Sequence, residues 1–389
     1  MSKKKTKYNF KYWVGKLHLW LGMASGLVVL ILAVTGCIYV FSVEINEALR
    51  KDAMYVSEIK PATIPVSKLW EDTQNKIGDK IKISSIKISN DPKKSWIFGC
   101  YKGNEGAFTY FGSIDYYQSI YVNPYSGEIL ATYDEEMDFF NIVKFIHWSL
   151  LIATDVGQQI VGWSTFIFVI MLITGIILWW PKNKAARKQR FKFQWKSTTQ
   201  WKRKNYDIHN IFGFYIASIA LIIAFTGMVW AFTWFQSTVY FLGSGTATPP
   251  EIVNKKADTN LPEVSNAMEV ALEKTRIAYP TADALSMAKP ADSIATVDVY
   301  VQQKENAYYV AHQMRFDQKT GEILLNRNHS DKNFGEQLIT ANYDIHVGAI
   351  LGIPGKILAF IASFICGMLP VTGFLIWYGR TFKKSKVKK

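Results

Sequence analysis

The sequence contains few cysteine and histidine residues. Of its 389 residues only three are cysteine and six are histidine. Cys37 and Cys366 lie inside long apolar runs, where a free thiol behaves as a small apolar side chain, and Cys100 has no neighbouring cysteine. This distribution argues against a disulfide framework.

Acidic residues are missing from three segments that are rich in lysine and arginine. Residues 1–16, 182–204 and 380–389 carry 6, 10 and 6 basic residues and no Asp or Glu. The rest of the chain has 23 basic against 31 acidic residues, so the net charge of +14 comes from these segments. Short basic segments beside apolar spans mark the cytoplasmic side of a membrane. The charge therefore indicates topology, and we expect no nucleic-acid partner.

Four long runs contain no Asp, Glu, Lys or Arg and reach the length of a transmembrane helix. About 20 apolar residues suffice to cross the hydrocarbon of a bilayer as a helix, and a soluble core helix would have breaks or charges within such a length. The runs are Leu17–Val43, Ile160–Pro181, Ile208–Phe235 and Ile357–Gly379. The first run is followed by no A-x-A-like cleavage site, so we expect an uncleaved anchor.

These features predict a membrane α-helical protein with both termini in the cytoplasm. The expected order is 1–43 (N terminus and first span), 44–157 (first outer segment), 158–181 (second span), 182–207 (basic loop), 208–235 (third span), 236–356 (second outer segment), 357–379 (fourth span) and 380–389 (basic tail).

The two outer segments have similar patterns, and each predicts a small α+β module. A helical pattern precedes strand-like runs in both, over Val66–Ile77 in the first and in "LPEVSNAMEVALEKTRIAYP" in the second. "NPYSGEIL" and "DQKTGEIL" predict the same hairpin, with Gly at the tight position. The simplest arrangement is two parallel repeats of helix, module and helix, related by an axis along the membrane normal.

Four of the six histidines occupy matching positions at the ends of spans. "HLWLGMASGLVVLILAVTG" begins at His18 and "HNIFGFYIASIALIIAFTG" at His209, whereas His147 and His346 stand just before the second and fourth spans. An ionisable residue in a membrane is costly and indicates function by default. Depth pairs His18 with His209 near the inner face and His147 with His346 near the outer face.

Two facing imidazoles suit the two axial positions of a haem iron. A structural zinc site would need four ligands, and no Cys, Asp or Glu recurs beside all four histidines. Small residues four and eight positions after a ligand would admit a flat macrocycle. They are Gly22 and Gly26 after His18, and Gly213 and Ala217 after His209. Tight helix–helix packing is the alternative explanation of these small residues.

Thr-Gly dipeptides mark the opposite ends of the spans. Gly36 and Gly227 lie 18 residues after His18 and His209, about 27 Å along a helix, and so reach the depth of the outer histidines. Gly175 and Gly373 lie near the inner ends of their spans. We expect each glycine to relieve crowding against the haem held by the other helices. Two such sites would carry electrons across the bilayer.

The histidine motifs resemble the PepSY-associated transmembrane family, which includes iron-regulated inner-membrane siderophore reductases. The resemblance covers nearly the whole chain and rests on "KLHLWLGMASGLVVLILAVTGCIYVF", "FIHWSLLIATDVGQQIVGW", "YDIHNIFGFYIASIALIIAFTG" and "YDIHVGAILGIPGK". It implies a di-haem b protein of the bacterial inner membrane with four helices and two periplasmic PepSY-like modules, whose haem ligands are His18, His147, His209 and His346. The implied activity is reduction of ferric siderophore complexes with release of Fe(II).

The resemblance also implies partners and leaves alternatives open. The partners are a ferric siderophore, the lipid bilayer and an electron donor, either a quinol or a cytoplasmic reductase, because the sequence contains no Gly-rich dinucleotide motif. One alternative is a di-haem protein with another periplasmic acceptor. A second is a PepSY-type membrane-anchored binding or regulatory protein without redox activity. A third, a transporter with histidines in a proton or metal pathway, is disfavoured because the histidines lie at span ends.

Overall fold

The computed structural model describes residues 9–181, 183–250, 267–288, 290 and 295–382. The helices are α1 (Phe10–Tyr39), α2 (Ser42–Leu49), α3 (Lys51–Met54), α4 (Val66–Ile77), α5 (Phe139–Ser149), α6 (Thr154–Trp179), α7 (Lys184–Phe191), α8 (Trp201–Ala231), α9 (Thr233–Ser244), α10 (Ala267–Ala278), α11 (Phe334–His346) and α12 (Gly352–Thr381). The strands are β1 (Ser85–Ser89), β2 (Trp96–Gly103), β3 (Ile114–Val122), β4 (Ile129–Asp134), β5 (Ala284–Ala288), β6 (Thr296–Gln302), β7 (Ala311–Asp317) and β8 (Ile323–Arg327). Most of the basic tail and the start of the helix predicted in the second outer segment lie outside the described residues.

Helices α1, α6, α8 and α12 are long and apolar enough to cross a membrane. The four predicted apolar helices are therefore present, but their predicted starts were five to seven residues too late. Hydropathy marks only the part of a helix that lipid can surround, whereas backbone hydrogen bonds continue through polar residues. Helix α8, for example, begins with a turn that contains Lys202, Arg203 and Lys204. His18 and His209 consequently lie eight residues inside their helices, about 12 Å from the first residue.

The four long helices form a bundle in which α1 and α8 occupy opposite corners. Each of them packs against both α6 and α12. The buried contacts at the centre include the small residues Ala33, Ala220, Ala362 and Cys366. Small side chains let helix backbones approach closely where lipid supplies no hydrophobic driving force between helices. Side chains on α1 and α8 can therefore meet only across the interior of the bundle.

The strands of both outer segments form one antiparallel sheet of eight strands, in the order β4-β3-β2-β1-β5-β6-β7-β8. Strand β1 pairs with β5 from Ser85 opposite Ala288 to Ser89 opposite Ala284. Glu305 lies beside this junction and forms ion pairs with Lys87 at 3.1 Å and Lys94 at 2.7 Å. The sequence pattern predicts two separate modules and does not indicate this pairing. Joining β1 to β5 removes two exposed strand edges.

Helices α4 and α10 cover one face of the sheet. Leu69 and Trp70 of α4 and Leu272 of α10 belong to the same buried cluster as strand residues such as Phe98 and Phe316. In α4 the buried positions Val66, Leu69, Trp70 and Thr73 recur with the spacing of one helix face. A single apolar core thus holds strands from both outer segments together.

Both predicted hairpins are confirmed. Strands β3 and β4 pair across a turn with Gly127 at φ +69°, and β7 and β8 pair across a turn with Gly321 at φ +68°. These values lie in the left-handed region, which glycine adopts without steric cost. The side chains of Asn123 and Asp317 accept hydrogen bonds from backbone N–H groups two and three residues on, which stabilises the turns.

A buried arginine connects the sheet to helix α5. The Arg50 guanidinium pairs with Glu135 at 2.6 Å and with Asp138 at 2.8 Å. Asp138 is also the N-cap residue of α5, where its side chain accepts a hydrogen bond from the backbone N–H of Asn141. Because α5 carries His147, this network orients one of the four predicted site residues.

Replacing Arg50 by methionine is expected to lower the free energy of unfolding by about 3 kcal/mol, because two poorly solvated carboxylates lose their partner. Thermal unfolding in detergent measures this change. The matched control is Lys82→Met, which breaks an exposed ion pair with Asp79 and should leave the free energy of unfolding nearly unchanged. Equal effects of the two substitutions would contradict the assignment of Arg50 to a stabilising network.

Candidate functional site

Histidine side chains meet in two pairs inside the protein. The rings of His18 on α1 and His209 on α8 have centroids 6.4 Å apart and an interplanar angle of 88°. The rings of His147 on α5 and His346 on α11 have centroids 6.1 Å apart and an interplanar angle of 75°. We call His147 and His346 the sheet-side pair, because α5 and α11 follow the strands β4 and β8. His18 and His209 are the far-side pair.

The two pairs lie at opposite ends of the bundle. Gly36 of α1 lies beside the ring of His147, and Gly227 of α8 lies beside the ring of His346. Each glycine follows the far-side histidine of its own helix by 18 residues. At 1.5 Å per residue the two levels are about 27 Å apart along the helices, close to the thickness of the hydrocarbon layer.

A threonine hydroxyl contacts Nδ1 of each histidine. The Oγ1–Nδ1 distances are 2.9 Å for Thr174 and His18, 3.0 Å for Thr35 and His147, 2.9 Å for Thr372 and His209, and 2.8 Å for Thr226 and His346. Each hydroxyl also lies 2.8–3.1 Å from the carbonyl four residues earlier in its own helix, to which it donates. The threonine oxygen is therefore left to accept the proton on Nδ1.

This arrangement selects the histidine tautomer. If Nδ1 carries the proton and donates it to threonine, Nε2 is unprotonated and has a free lone pair. For His346 a second acceptor supports the same tautomer, because its Nδ1 lies 3.1 Å from the carbonyl of Ile223. Partners of this kind fix the orientation of a histidine ligand and raise its basicity. The Thr-Gly dipeptides are visible in the sequence, but the role of their threonines is not.

The glycines of the four Thr-Gly dipeptides lie against the histidine rings. A Cβ atom built on Gly36, Gly175, Gly227 or Gly373 would lie 3.2–3.6 Å from Cε1 of His147, His18, His346 or His209, respectively. The sequence analysis placed these glycines against a haem. In the structure their nearest neighbours include the imidazoles, so a larger side chain here would push on the histidine itself.

The pentapeptide Asn-Tyr-Asp-Ile-His occurs twice, at residues 205–209 and 342–346. The Asn side chains donate to the backbone carbonyls of the threonines, Asn205 to Thr372 at 3.0 Å and Asn342 to Thr226 at 3.1 Å. The two aspartates face away from the histidines and hold loops. Asp207 accepts from Trp195 and Arg203. Asp344 accepts from the backbone N–H groups of Tyr308 and Tyr309. This exact repeat was the available signal for these positioning residues.

Each histidine pair opens into a cavity. The far-side cavity has a volume of about 900 Å³, and its lining includes His18, His209 and three of the small residues expected beside a macrocycle: Gly22, Gly26 and Gly213. The sheet-side cavity has a volume of about 560 Å³ and is lined by His147, His346, Gly36 and Gly227, among others. Both volumes fall in the range of cofactor sites. The remaining small residue, Ala217, is buried in the bundle and is not part of either lining.

The geometry of the pairs fits one metal ion held between two imidazoles. With metal–nitrogen bonds of about 2 Å and ring nitrogens about 1.1 Å from the ring centre, two opposed imidazoles would have centroids about 6.2 Å apart. The observed separations are 6.4 and 6.1 Å. No group of three or more His, Cys, Asp or Glu side chains within the described ranges could hold a metal ion. An iron whose other ligands come from a planar macrocycle fits this donor set.

The other two histidines lie in the sheet region. The backbone N–H of His329 donates to Nδ1 of His312 at 3.1 Å. They do not join either pair.

The profile described as "PepSY-associated TM region" matches residues 16–380, a range that includes both histidine pairs. No curated protein matches the chain.

Proposed function

The chain belongs to the PepSY-associated transmembrane family, and we propose that it is a di-haem b oxidoreductase of the bacterial inner membrane. In this proposal it takes electrons from a cytoplasmic-side donor, a quinol or a cytoplasmic reductase, and reduces ferric siderophore complexes in the periplasm. Each Fe(III) accepts one electron and leaves as Fe(II), because the hard anionic oxygens of a siderophore hold Fe(II) much more weakly. The donor is oxidised by one electron for each iron reduced.

The observation that carries the proposal is the pair of facing imidazoles at each end of the bundle. His18 with His209 and His147 with His346 would hold one haem b each, and haem supplies a one-electron redox centre when it is bound. The threonines keep Nδ1 protonated and Nε2 free. Most residues that line the two cavities are apolar, which suits the faces of a macrocycle. Gly22 and Gly213 line the far-side cavity, and Gly36 and Gly227 line the sheet-side cavity. Gly22 also packs against the side chain of Met171.

The orientation in the membrane follows from charge. The far-side pair lies near the ends of α1, α8 and α12 that adjoin the basic segments, and basic segments favour the cytoplasm. The sheet would then lie in the periplasm as two PepSY-like modules joined between β1 and β5, and the two halves of the chain would be parallel repeats. The sheet-side pair is accordingly the site nearer the acceptor.

Optical spectra of the purified protein test this function. Oxidised and dithionite-reduced samples should show low-spin b-type haem, and haem extraction should yield about two haems per chain. In proteoliposomes that contain a reductant, external ferric siderophore should be reduced. A folded, haem-supplied preparation with a featureless spectrum would favour the regulatory alternative. If the protein contains haem but reduces only other acceptors, its role in electron transfer would stand and siderophore reduction would be excluded.

Replacing Thr35 by valine is expected to weaken haem binding at the sheet-side pair by about 10–100-fold, the usual cost of losing such a partner. Valine keeps the shape of threonine but cannot accept the Nδ1 proton of His147. Haem titration of the haem-free protein measures the change, and Thr35→Ser should restore binding. The matched control is Thr165→Val. Thr165 lines the same cavity, and its hydroxyl donates to the backbone carbonyl of Val161 in its own helix. Equal losses for Thr35→Val and Thr165→Val would contradict the role of Thr35.

A further inference from the structure

The sheet-side cavity contains one charged side chain among its described lining residues, the ammonium of Lys144. The other polar groups there include the hydroxyls of Tyr39, Tyr308 and Tyr343 and the amide of Gln158. The lining contains no Asp or Glu. The cavity therefore offers a positive charge and hydrogen-bond donors to whatever occupies it.

Lys144 has no carboxylate partner among the described residues. The nearest acidic groups that act on it are Glu135 and Asp138, and both are already paired with Arg50. The contact recorded for its ammonium is the face of the Phe145 ring, 4.8 Å away. Burial lowers the pKa of Lys144, and the two carboxylates oppose this effect only through space.

Two lysines that are buried, whereas Lys144 is half-buried, have partners in the structure. Lys356 binds the Glu44 carboxylate at 2.6 Å, and Lys332 donates to the backbone carbonyl of Ala311 at 3.0 Å. An ammonium group taken from water without a partner is costly. Lys144 is the exception among these three, and it is the one that lines a cavity.

Lys144 and His147 point to the same side of α5. They are three residues apart on this helix, so their side chains are neighbours on one helix face. A group that is held by His147 would therefore lie beside the Lys144 ammonium.

We propose that Lys144 is an anchor for a carboxylate of the group held by the sheet-side pair, that is, for a propionate of the haem. This inference rests on the proposed function. A haem b carries two propionates, and pairing of an ammonium with a carboxylate away from bulk water forms a strong charge-assisted hydrogen bond. The far-side cavity has the same composition, since its charged lining residues are Lys16 and Arg380 and it has no Asp or Glu. Both cavities thus present cations and no acid to a dianionic ligand.

The test is a comparison of haem with haem dimethyl ester, which has the same macrocycle and no carboxylate. Full-length protein with His209→Ala keeps only the sheet-side site, and the haem-free form is titrated with each ligand in detergent. Lys144→Met should bind haem about tenfold more weakly and bind the ester unchanged. Lys144→Arg should keep the affinity for haem. Lys356→Met is the matched control, since it removes a lysine outside the cavity. Its affinities for haem and for the ester should equal those of the protein with lysine at this position.

Each result decides between explanations. Equal losses for haem and ester in Lys144→Met, or no loss for either, overturn the proposal. If Lys144→Met leaves the haem affinity unchanged and raises the KM for an anionic ferric complex, the proposal is overturned too. The Lys144 ammonium would then bind the electron acceptor. Absence of haem binding in the unaltered chain removes the proposed function itself. If His209→Ala fails to fold, the midpoint potentials of the complete protein replace the titration, and Lys144→Met should lower the potential of one haem and leave the other.

Discussion

Replacing His346 by alanine should remove the haem that we propose for the sheet-side pair and leave the one that we propose for the far-side pair. The ring centroids of His346 and His147 lie 6.1 Å apart, and both imidazoles would hold the haem. Without His346 the site would keep only one of its two histidine ligands. Haem extraction should therefore fall from about two haems per chain to about one, and His209→Ala should give the same count by loss of the other haem.

The same substitution should abolish transfer of electrons across the membrane. The two levels are separated by about 27 Å along the helices, too far for a single centre to connect both sides at a useful rate. The rate at which proteoliposomes with internal reductant reduce external ferric siderophore should fall at least a hundredfold. This corresponds to a rise of about 2.7 kcal/mol or more in the activation free energy.

The control for His346 is His329→Ala. His329 lies in the sheet region and belongs to neither pair, so this variant should keep about two haems per chain and near-normal turnover. Retention of both haems in His346→Ala and in His147→Ala would exclude the sheet-side pair as a haem site. Loss of both haems in each single variant would mean that the two sites form one cooperative unit.

Replacing Gly36 by leucine should also prevent haem binding at the sheet-side pair, with a loss similar to that expected for His346→Ala. A Cβ at this position would lie 3.5 Å from Cε1 of His147 and 3.5 Å from Oγ of Ser363. That distance is an ordinary contact, so Gly36→Ala should be tolerated. The three further carbon atoms of leucine would extend toward the imidazole of His147 or into the sheet-side cavity that Gly36 lines, and in either place they would take space that the proposed haem needs. We expect loss of about one haem per chain in Gly36→Leu and little change in Gly36→Ala.

The reciprocal variant makes this prediction specific. Gly175 stands in the same relation to His18, with a Cβ-to-Cε1 distance of 3.4 Å. Gly175→Leu should therefore remove the far-side haem and spare the sheet-side haem. Midpoint potentials or spectra of the remaining haem tell the two variants apart. Identical spectra for Gly36→Leu and Gly175→Leu would show that the leucines unfold the bundle instead of displacing individual ligands.

Much of this architecture is readable from local sequence. A run of about 20 apolar residues has to be a helix in a bilayer, because every backbone group must bond within its own segment. The turns at Gly127 and Gly321 follow from residues a few positions apart. The choice of His18, His147, His209 and His346 came from their matching positions in the spans, and the structure places them together as two pairs.

The starts of the helices and the roles of the threonines were not readable in this way. Polar residues such as Lys202 and Arg203 extend α8 beyond its apolar run, and hydropathy does not register them. A threonine in an apolar helix usually bonds its own backbone. Only the approach of a second helix shows that Thr35 also receives the Nδ1 proton of His147.

The sequence by itself determined the four apolar helices, the hairpins and the four histidines, since each depends on residues close together in the chain or on repeated spacing. The tertiary structure alone decided which strands join, which threonine serves which histidine and where Lys144 lies. These contacts connect residues far apart in the chain: Ser85 with Ala288, Thr226 with His346, and Arg50 with Asp138. No local pattern encodes them, because such contacts form only after the bundle and the sheet have set the distances between them.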